Sequence, residues 1–198
     1  TLLITIDPHT TEHSANEIVE TIRTEQQVRI KPVNSPHKKD MFWHIRRASY
    51  TLSKLQDESK RPAAFLEDMT VPPEHISEFF VEVKKLLKKH NVQAAVHGHG
   101  GNGHLHFYPL LDFTKDQGEK VEQMAEDFFN VAIKYKGNIC GEHNDGIIRT
   151  PHLSKLYNKK VLGLFKDLEA IFDPKDIFNP GKKVNPRYDI KQYLRRSN

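Results

Sequence analysis

Cysteine is all but missing from this chain: Cys140 is the single one among 198 residues. One thiol excludes an internal disulfide and a thiolate metal cluster. Long apolar runs are also missing, since none approaches the roughly 18–20 residues of a membrane span, and no signal-peptide pattern is visible. There is no basic patch interleaved with aromatics either. The net charge of +4 therefore reads as solvated surface, not as a nucleic-acid footprint, although a mild positive bias suits anionic substrates. No dinucleotide fingerprint occurs. The chain is polar, with a mean hydropathy of −0.65, yet 37% hydrophobic. That composition and length suit one globular domain, or a domain with an excursion. The sequence opens at Thr1 without Met and enters an apolar stretch at once, as expected of a piece of a longer protein.

Histidine, by contrast, is plentiful and clustered. Four of 12 fall in the run VHGHGGNGHLHFYP: His97, His99, His104 and His106. Asn102-Gly103 between two extended stretches is a strong hairpin signal. With these two as the central turn residues, His99 faces His106 and His97 faces Tyr108. Strand side chains alternate, so all four histidines project from one face. Directly opposed residues have Cβ atoms about 5 Å apart, close enough for His99 and His106 to share a metal ion.

The rest of the chain alternates strand and helix patterns. Strands are expected at 2–6, 28–33, 63–71, 92–99, 104–111 and 138–141. Helices are expected at 11–26, 39–55, from Pro72 to His90, at 115–135 and at 152–172. Pro72-Pro73-Glu74 suits a helix start, and Phe79, Val83, Leu86 and Leu87 form an apolar stripe behind it. The tight hairpin requires an antiparallel pair. The predicted class is α+β: a ferredoxin-like antiparallel or mixed sheet with helices packed mainly on one face.

A second polar cluster, Gly141-Glu142-His143-Asn144-Asp145-Gly146, lies between a short strand and a helix. Adjacent carboxylate and imidazole groups can divide two tasks, metal binding and proton transfer. Two histidines with one carboxylate, leaving positions open, form a common catalytic metal shell. A loop of turn-forming Asn and Asp is the plainer reading of this cluster taken alone.

Five motifs in order resemble one family. Gly98-His99-Gly100-Gly101-Asn102-Gly103-His104-Leu105-His106 is similar to its G-H-x-G-D-G-N-L-H run. Gly141-Glu142-His143 with Asp145-Gly146 resembles G-E-H-G-x-G. Phe172-Asp173-Pro174 with Asn179-Pro180-Gly181-Lys182 resembles F-D-P-x-x-x-x-N-P-G-K. Trp43-x-x-Arg46 resembles W-x-x-R, and Glu67-Asp68 before Val71-Pro72 resembles E-D-x-x-V-P. These are the motifs of the C-terminal domain of FAD-linked oxidases of the glycolate oxidase, D-lactate dehydrogenase and D-2-hydroxyglutarate dehydrogenase type. The resemblance covers nearly all of residues 1–198.

The resemblance implies a substrate- and metal-binding domain of an FAD-dependent dehydrogenase that oxidises a D-2-hydroxy acid to a 2-oxo acid. It implies that His99, His106 and Glu142 bind a divalent metal, zinc by expectation. His143 is then the base and Arg46 holds the substrate carboxylate. FAD is held mainly by an upstream domain absent from this sequence, so cofactor-binding residues stay unassigned. The Pro109-Leu110-Leu111-Asp112 run further resembles members that carry an iron–sulfur domain, which adds an iron–sulfur domain or subunit as a partner. The expected location is cytoplasmic, with peripheral contact to a membrane as an option.

Some positions depart from the family pattern. His104 stands where Asn is usual, as a fourth ligand, a supporting partner or a turn residue. Asn102 replaces Asp, and Tyr108 replaces the Asn of hydroxyglutarate-specific members. Asn144 replaces Gly, and Asn tolerates positive φ better than most residues. Plainer readings attach to several others: Trp43 as core, His97 as structural, Arg149 in a surface ion pair, Lys182 in a turn, Glu67 and Asp68 in capping and ion pairing, Cys140 as a small buried residue. Two rival functions stay open on the residues alone, a stand-alone metal-dependent hydrolase and a non-catalytic ferredoxin-like binding module.

Overall fold

The structure is a computed structural model describing residues 9–26, 28–33, 35–53 and 59–193. It divides into two compact units, Thr1–Ser49 and Tyr50–Asn198. The strand expected at 2–6 lies outside the described residues.

Helix α1 (Glu12–Gln26) and most of helix α2 (Pro36–Ser53) belong to the first unit. Thr11 opens α1: its hydroxyl accepts the Ser14 N–H at 3.2 Å, as an N-cap does. Pro36 starts α2 three residues before the expected start, because proline suits the first helical position. The strand expected at 28–33 does not form. Pro32 has no N–H to give a ladder, and Val28 is exposed.

In the second unit, strands β1 (Arg61–Pro62), β2 (Leu66–Thr70), β3 (Ala94–His99) and β4 (His104–Leu111) form an antiparallel sheet. β4 is central. β3 pairs along one edge of it, and β1 and β2 take the other. Helices α3 (Ile76–Lys89) and α4 (Gly118–Lys134) supply apolar faces. Val121, Met124, Ala125, Phe128, Phe129 and Ala132 recur at helical spacing on α4, and all are buried. They pack with Phe79 and Val83 of α3 and with Leu66, Met69, Phe107 and Leu111 of the sheet. Alternation along β4 places Leu105, Phe107 and Leu111 toward this core and His104, His106 and Tyr108 away from it. The α+β class is as expected, and the sheet is antiparallel throughout.

Two expected elements are different. Asn138–Gly141 is not a strand; it keeps a single bridge, between Asn138 and Thr70. The helix expected at 152–172 is split: its first residues belong to a 3₁₀ segment (Thr150–Lys155) that follows a short helix α5 (Gly146–Arg149), and its remainder is α6 (Lys159–Phe172). Pro151 sits in the first turn of the 3₁₀ segment, where proline is tolerated, and Asn158 starts α6 as its N-cap, accepting the Val161 N–H at 3.0 Å. A last short helix, α7, spans Ile190–Tyr193.

Candidate active site

The hairpin register differs from the expected one by two residues. His99 pairs with His104 and His97 with His106. The turn is not Asn102-Gly103 alone but the four residues 100–103. Gly100–Asn102 form a 3₁₀ turn, and Gly103 closes it with φ +68°. Glycine is required there: a Cβ would lie 1.8 Å from the Val71 carbonyl oxygen. A shift of two keeps every side chain on its face. The four histidines therefore still share one surface, and His99 and His106 meet diagonally, with ring centroids 5.4 Å apart.

β2 completes this surface through a bulge. Leu66 pairs with Phe107 and Met69 with Leu105, so three steps on β2 match two on β4. Both flanking residues stay in the core, while consecutive Glu67 and Asp68 serve the polar side. The Glu67 carbonyl accepts a hydrogen bond from His106 Nδ1. That bond fixes the proton on Nδ1 and leaves Nε2 with its lone pair free. Burial, with His104 and His143 nearby, lowers the His106 pKa against the opposing pull of the Glu67 carbonyl and Glu142. The ring is thus held neutral, the form in which imidazole binds a metal.

Asp68 organises the loop that faces the hairpin. Its carboxylate accepts the N–H groups of Gly141 at 2.8 Å, Glu142 at 3.0 Å and His143 at 3.0 Å. It also pairs with His104 Nε2 at 3.0 Å. Burial opposes its ionisation, but the Glu142 and His143 amides, the Cys140 thiol and the Arg149 charge prevail, and its pKa is lowered. The same burial, with Asp68 alongside, pushes the Cys140 thiol up to about 12. Cys140 is therefore a protonated, unreactive thiol at neutral pH. Gly141 admits no side chain, because a Cβ would come within 2.7 Å of His104 Nε2.

The anchored loop brings Glu142 and His143 over the histidine face. Glu142 Oε1 lies 3.4 Å from His99 Nε2 and 3.5 Å from His106 Nε2. His143 Nε2 is 3.6 Å from the same oxygen, and its Nδ1 is 3.6 Å from Glu67 and 3.7 Å from Asp68. Tetrahedral ligands at metal bond lengths stand about 3.3–3.4 Å apart, so the spacing of His99, His106 and Glu142 fits a shared divalent ion. His104 joins that cluster with its Nε2 already committed to Asp68. His97 stacks on Tyr108, with ring centroids 5.2 Å apart.

Beneath the loop, Arg149 donates to Glu67 in a buried pair and to the Asn144 carbonyl. The surface ion pair expected for Arg149 is thus a buried one, because α5 turns its guanidinium inward. Asn144 adopts φ +64°, the left-handed geometry that its replacement of Gly requires. A cavity of about 430 Å³ adjoins the cluster, lined by His143, Asn144, Glu169, Phe178, Lys182 and Lys183 among others. Lys182 reaches Asn179 Oδ1 at 2.9 Å.

Arg46 belongs to the other compact unit. It is half-buried on α2 in the first compact unit. Trp43, expected in a core, is 46% exposed on the same helix.

The sequence model of the family described as "FAD linked oxidases, C-terminal domain" matches residues 1–183. The chain is 37% identical over 123 residues to the glycolate oxidase subunit GlcD of Bacillus subtilis, an alignment covering 62% of this chain and 26% of that protein. It is 34% identical over 127 residues to the D-2-hydroxyglutarate dehydrogenase of Haemophilus influenzae, covering 64% of this chain and 12% of that protein. Against the D-lactate dehydrogenase of Archaeoglobus fulgidus it is 29% identical over 117 residues, covering 59% and 26%. The aligned part is thus a minor share of each relative's length. Among the described residues, no helix is long and apolar enough to cross a membrane.

Proposed function

The chain belongs to the family of FAD-linked oxidase C-terminal domains, and we propose that residues 1–198 form the substrate- and metal-binding part of an FAD-dependent dehydrogenase. The reaction is oxidation of a D-2-hydroxy acid to its 2-oxo acid. The observation that carries the reading is Glu142 Oε1 standing 3.4 and 3.5 Å from the Nε2 atoms of His99 and His106, with His143 beside it.

His99, His106 and Glu142 would hold the divalent ion, with zinc as the expected metal. Such an ion supplies positive charge that lowers the pKa of a substrate hydroxyl. The flavin supplies the hydride acceptor, which no side chain here can replace. The remaining work falls to this chain's own groups. His143 Nε2 takes the hydroxyl proton, a task suited to an imidazole near neutral pH. Glu67 and Asp68, facing Nδ1, stabilise the imidazolium that results. Arg46 is assigned to the substrate carboxylate, because a guanidinium matches it with two parallel hydrogen bonds. FAD is assigned mainly to an N-terminal domain of the same protein, since this chain has no phosphate-binding fingerprint. An iron–sulfur domain or subunit is the proposed onward partner, and the proposed location is the cytoplasm.

The test is metal analysis of the purified protein and its Glu142→Ala variant, paired with bleaching of the flavin by D-2-hydroxy acids. Stoichiometric divalent metal in the parent, and its loss in the variant, is the expected result. A parent that takes up neither zinc nor manganese when supplied overturns the ligand assignment. A flavoprotein whose flavin is bleached by no D-2-hydroxy acid overturns the reaction.

A further inference from the structure

The loop that carries Glu142 and His143 is held at two ends. At its start, Asp68 accepts the amides of Gly141, Glu142 and His143. Those bonds fix the chain as far as the His143 nitrogen. Beyond it the path is irregular. Asn144 has φ +64° and Gly146 φ +54°, with Asp145 between them at φ −73°. A non-glycine residue in the left-handed region persists where its surroundings hold it there. Arg149 supplies one hold, donating to the Asn144 carbonyl at 3.0 Å. Asp145 supplies the other. Its side chain is 4% exposed and pairs with Lys183 Nζ. A buried carboxylate needs such a partner.

Lys183 comes from the tail beyond α6 and is itself fixed. Its N–H donates to Thr150 Oγ1 at 2.8 Å, and Thr150 in turn donates to the Gly146 carbonyl. The next residue, Val184, is buried. The Lys183 ammonium also lies over the Phe165 ring, 5.2 Å from its centroid. Lys183 and His143 line the same cavity.

We infer that Lys183 is a positioning residue for proton transfer: through Asp145 it sets where the His143 ring stands. The inference rests on the reading of His143 as the base. Asp68 and the hairpin serve the three metal-binding side chains, whereas the Lys183–Asp145 pair acts on the far side of His143. The two tasks of the loop thus have separate supports. A base works only within hydrogen-bond reach of the proton it takes, and a misplacement of about 1 Å can cost about 100-fold in rate.

The test uses the whole gene product loaded with flavin and zinc. Anaerobic reduction of the flavin is followed with the D-2-hydroxy acid that bleaches the parent fastest, D-lactate and D-2-hydroxyglutarate being the first probes. Removing Lys183 alone would leave a buried carboxylate unpaired, so the principal variant is Lys183→Met/Asp145→Asn, which removes both charges together. Its reduction rate at saturating substrate is expected to fall about 10–100-fold. The half-saturating substrate concentration, the zinc content and the urea midpoint are expected to stay unchanged. Lys183→Arg keeps a cation opposite Asp145 and is expected to keep most of the rate. Hydrogen exchange at residues 143–146 is expected to quicken in the double variant and not in Lys183→Arg. A double variant that reduces its flavin at the parent rate overturns the positioning role and leaves the proposed function standing. One that loses zinc or unfolds at lower urea in step with its rate makes the pair a structural tie, which also overturns it. A flavin-loaded parent reduced by no D-2-hydroxy acid overturns the proposed function, and the role of Lys183 falls with it.

Discussion

The polar cluster has two halves that differ in solvent access. His104, His106, Asp68, Glu67 and Arg149 are buried. The side chains of His99, Glu142 and His143 are 44, 49 and 41% exposed. The buried half is tied by hydrogen bonds to backbone and to itself, with only Glu67 Oε2 and Arg149 Nε left unpartnered among its described buried side-chain atoms. The exposed half stands at 3.4–3.6 Å spacings, too long for good hydrogen bonds. Position is thus supplied from below and open coordination from above. Substitutions in the buried half should cost stability first, and those in the exposed half should cost only chemistry.

The largest effect tests the deepest pair. Removing one partner of a buried ion pair leaves the other charge uncompensated, a loss of about 3–5 kcal/mol. Glu67→Ala and Arg149→Ala should each lower unfolding stability by about that amount in urea titrations. The double change Glu67→Leu/Arg149→Met should recover most of it. If the single changes are silent, the buried half is not a structural base.

Asp68→Asn comes next. It keeps the shape but loses the charge that three amides and His104 address. A charge-assisted hydrogen bond contributes about 1.5–3 kcal/mol, and a loss of about 2–3 kcal/mol is expected. The pH dependence sharpens this. Asp68 has a folded pKa below its ordinary value of 3.8, and His106 one below 6.5. In both cases the unfolded chain binds protons more readily, so stability falls with falling pH. The His106 contribution is complete above pH 6.5 and is lost on going below it. The Asp68 contribution is complete above pH 3.8 and is lost further down. Chemical denaturation across pH 3–8 should show both steps, and the lower one should vanish in Asp68→Asn.

Gly141→Ala sits at the boundary between the halves. Its Cβ would meet His104 Nε2 at 2.7 Å, and overpacking of this kind costs about 1–3 kcal/mol. The displaced loop should also carry Glu142 away from the histidines, which weakened zinc uptake would report.

The two halves were unequally legible in the sequence. The shared face of His97, His99, His104 and His106 followed from alternation alone, and it survived a register error because the error was two residues. The turn length was not legible, since Gly100 and Gly101 are as permissive as Asn102-Gly103. Glu142 and His143 could be picked out as a local cluster. Asp68 was legible only as part of the Glu67-Asp68 motif, and its role at the loop was not: its partners lie 36 and 73–75 residues away, and no periodicity links residues across that distance. A bulge that turns two consecutive carboxylates to one side also breaks the alternation by which strands are read. Within the helix expected at 152–172, the start of α6 is marked by Asn158, a residue type that signals an N-cap.

The smallest effect on stability is expected where the effect on chemistry is largest. Glu142 is half exposed, and among the described residues its side chain makes the long contacts to His99, His106 and His143. Surface substitutions outside special features change stability by about 0.5 kcal/mol or less, so Glu142→Gln should unfold with the parent in urea. The amide keeps the side chain's size but replaces an anionic oxygen with a neutral one, a poor third ligand beside two imidazoles. Zinc content should therefore fall while the urea midpoint stays fixed. A fall in both would mean that Glu142 belongs with the buried, structural half, and the division between a positioning base and an open chemical surface would be wrong.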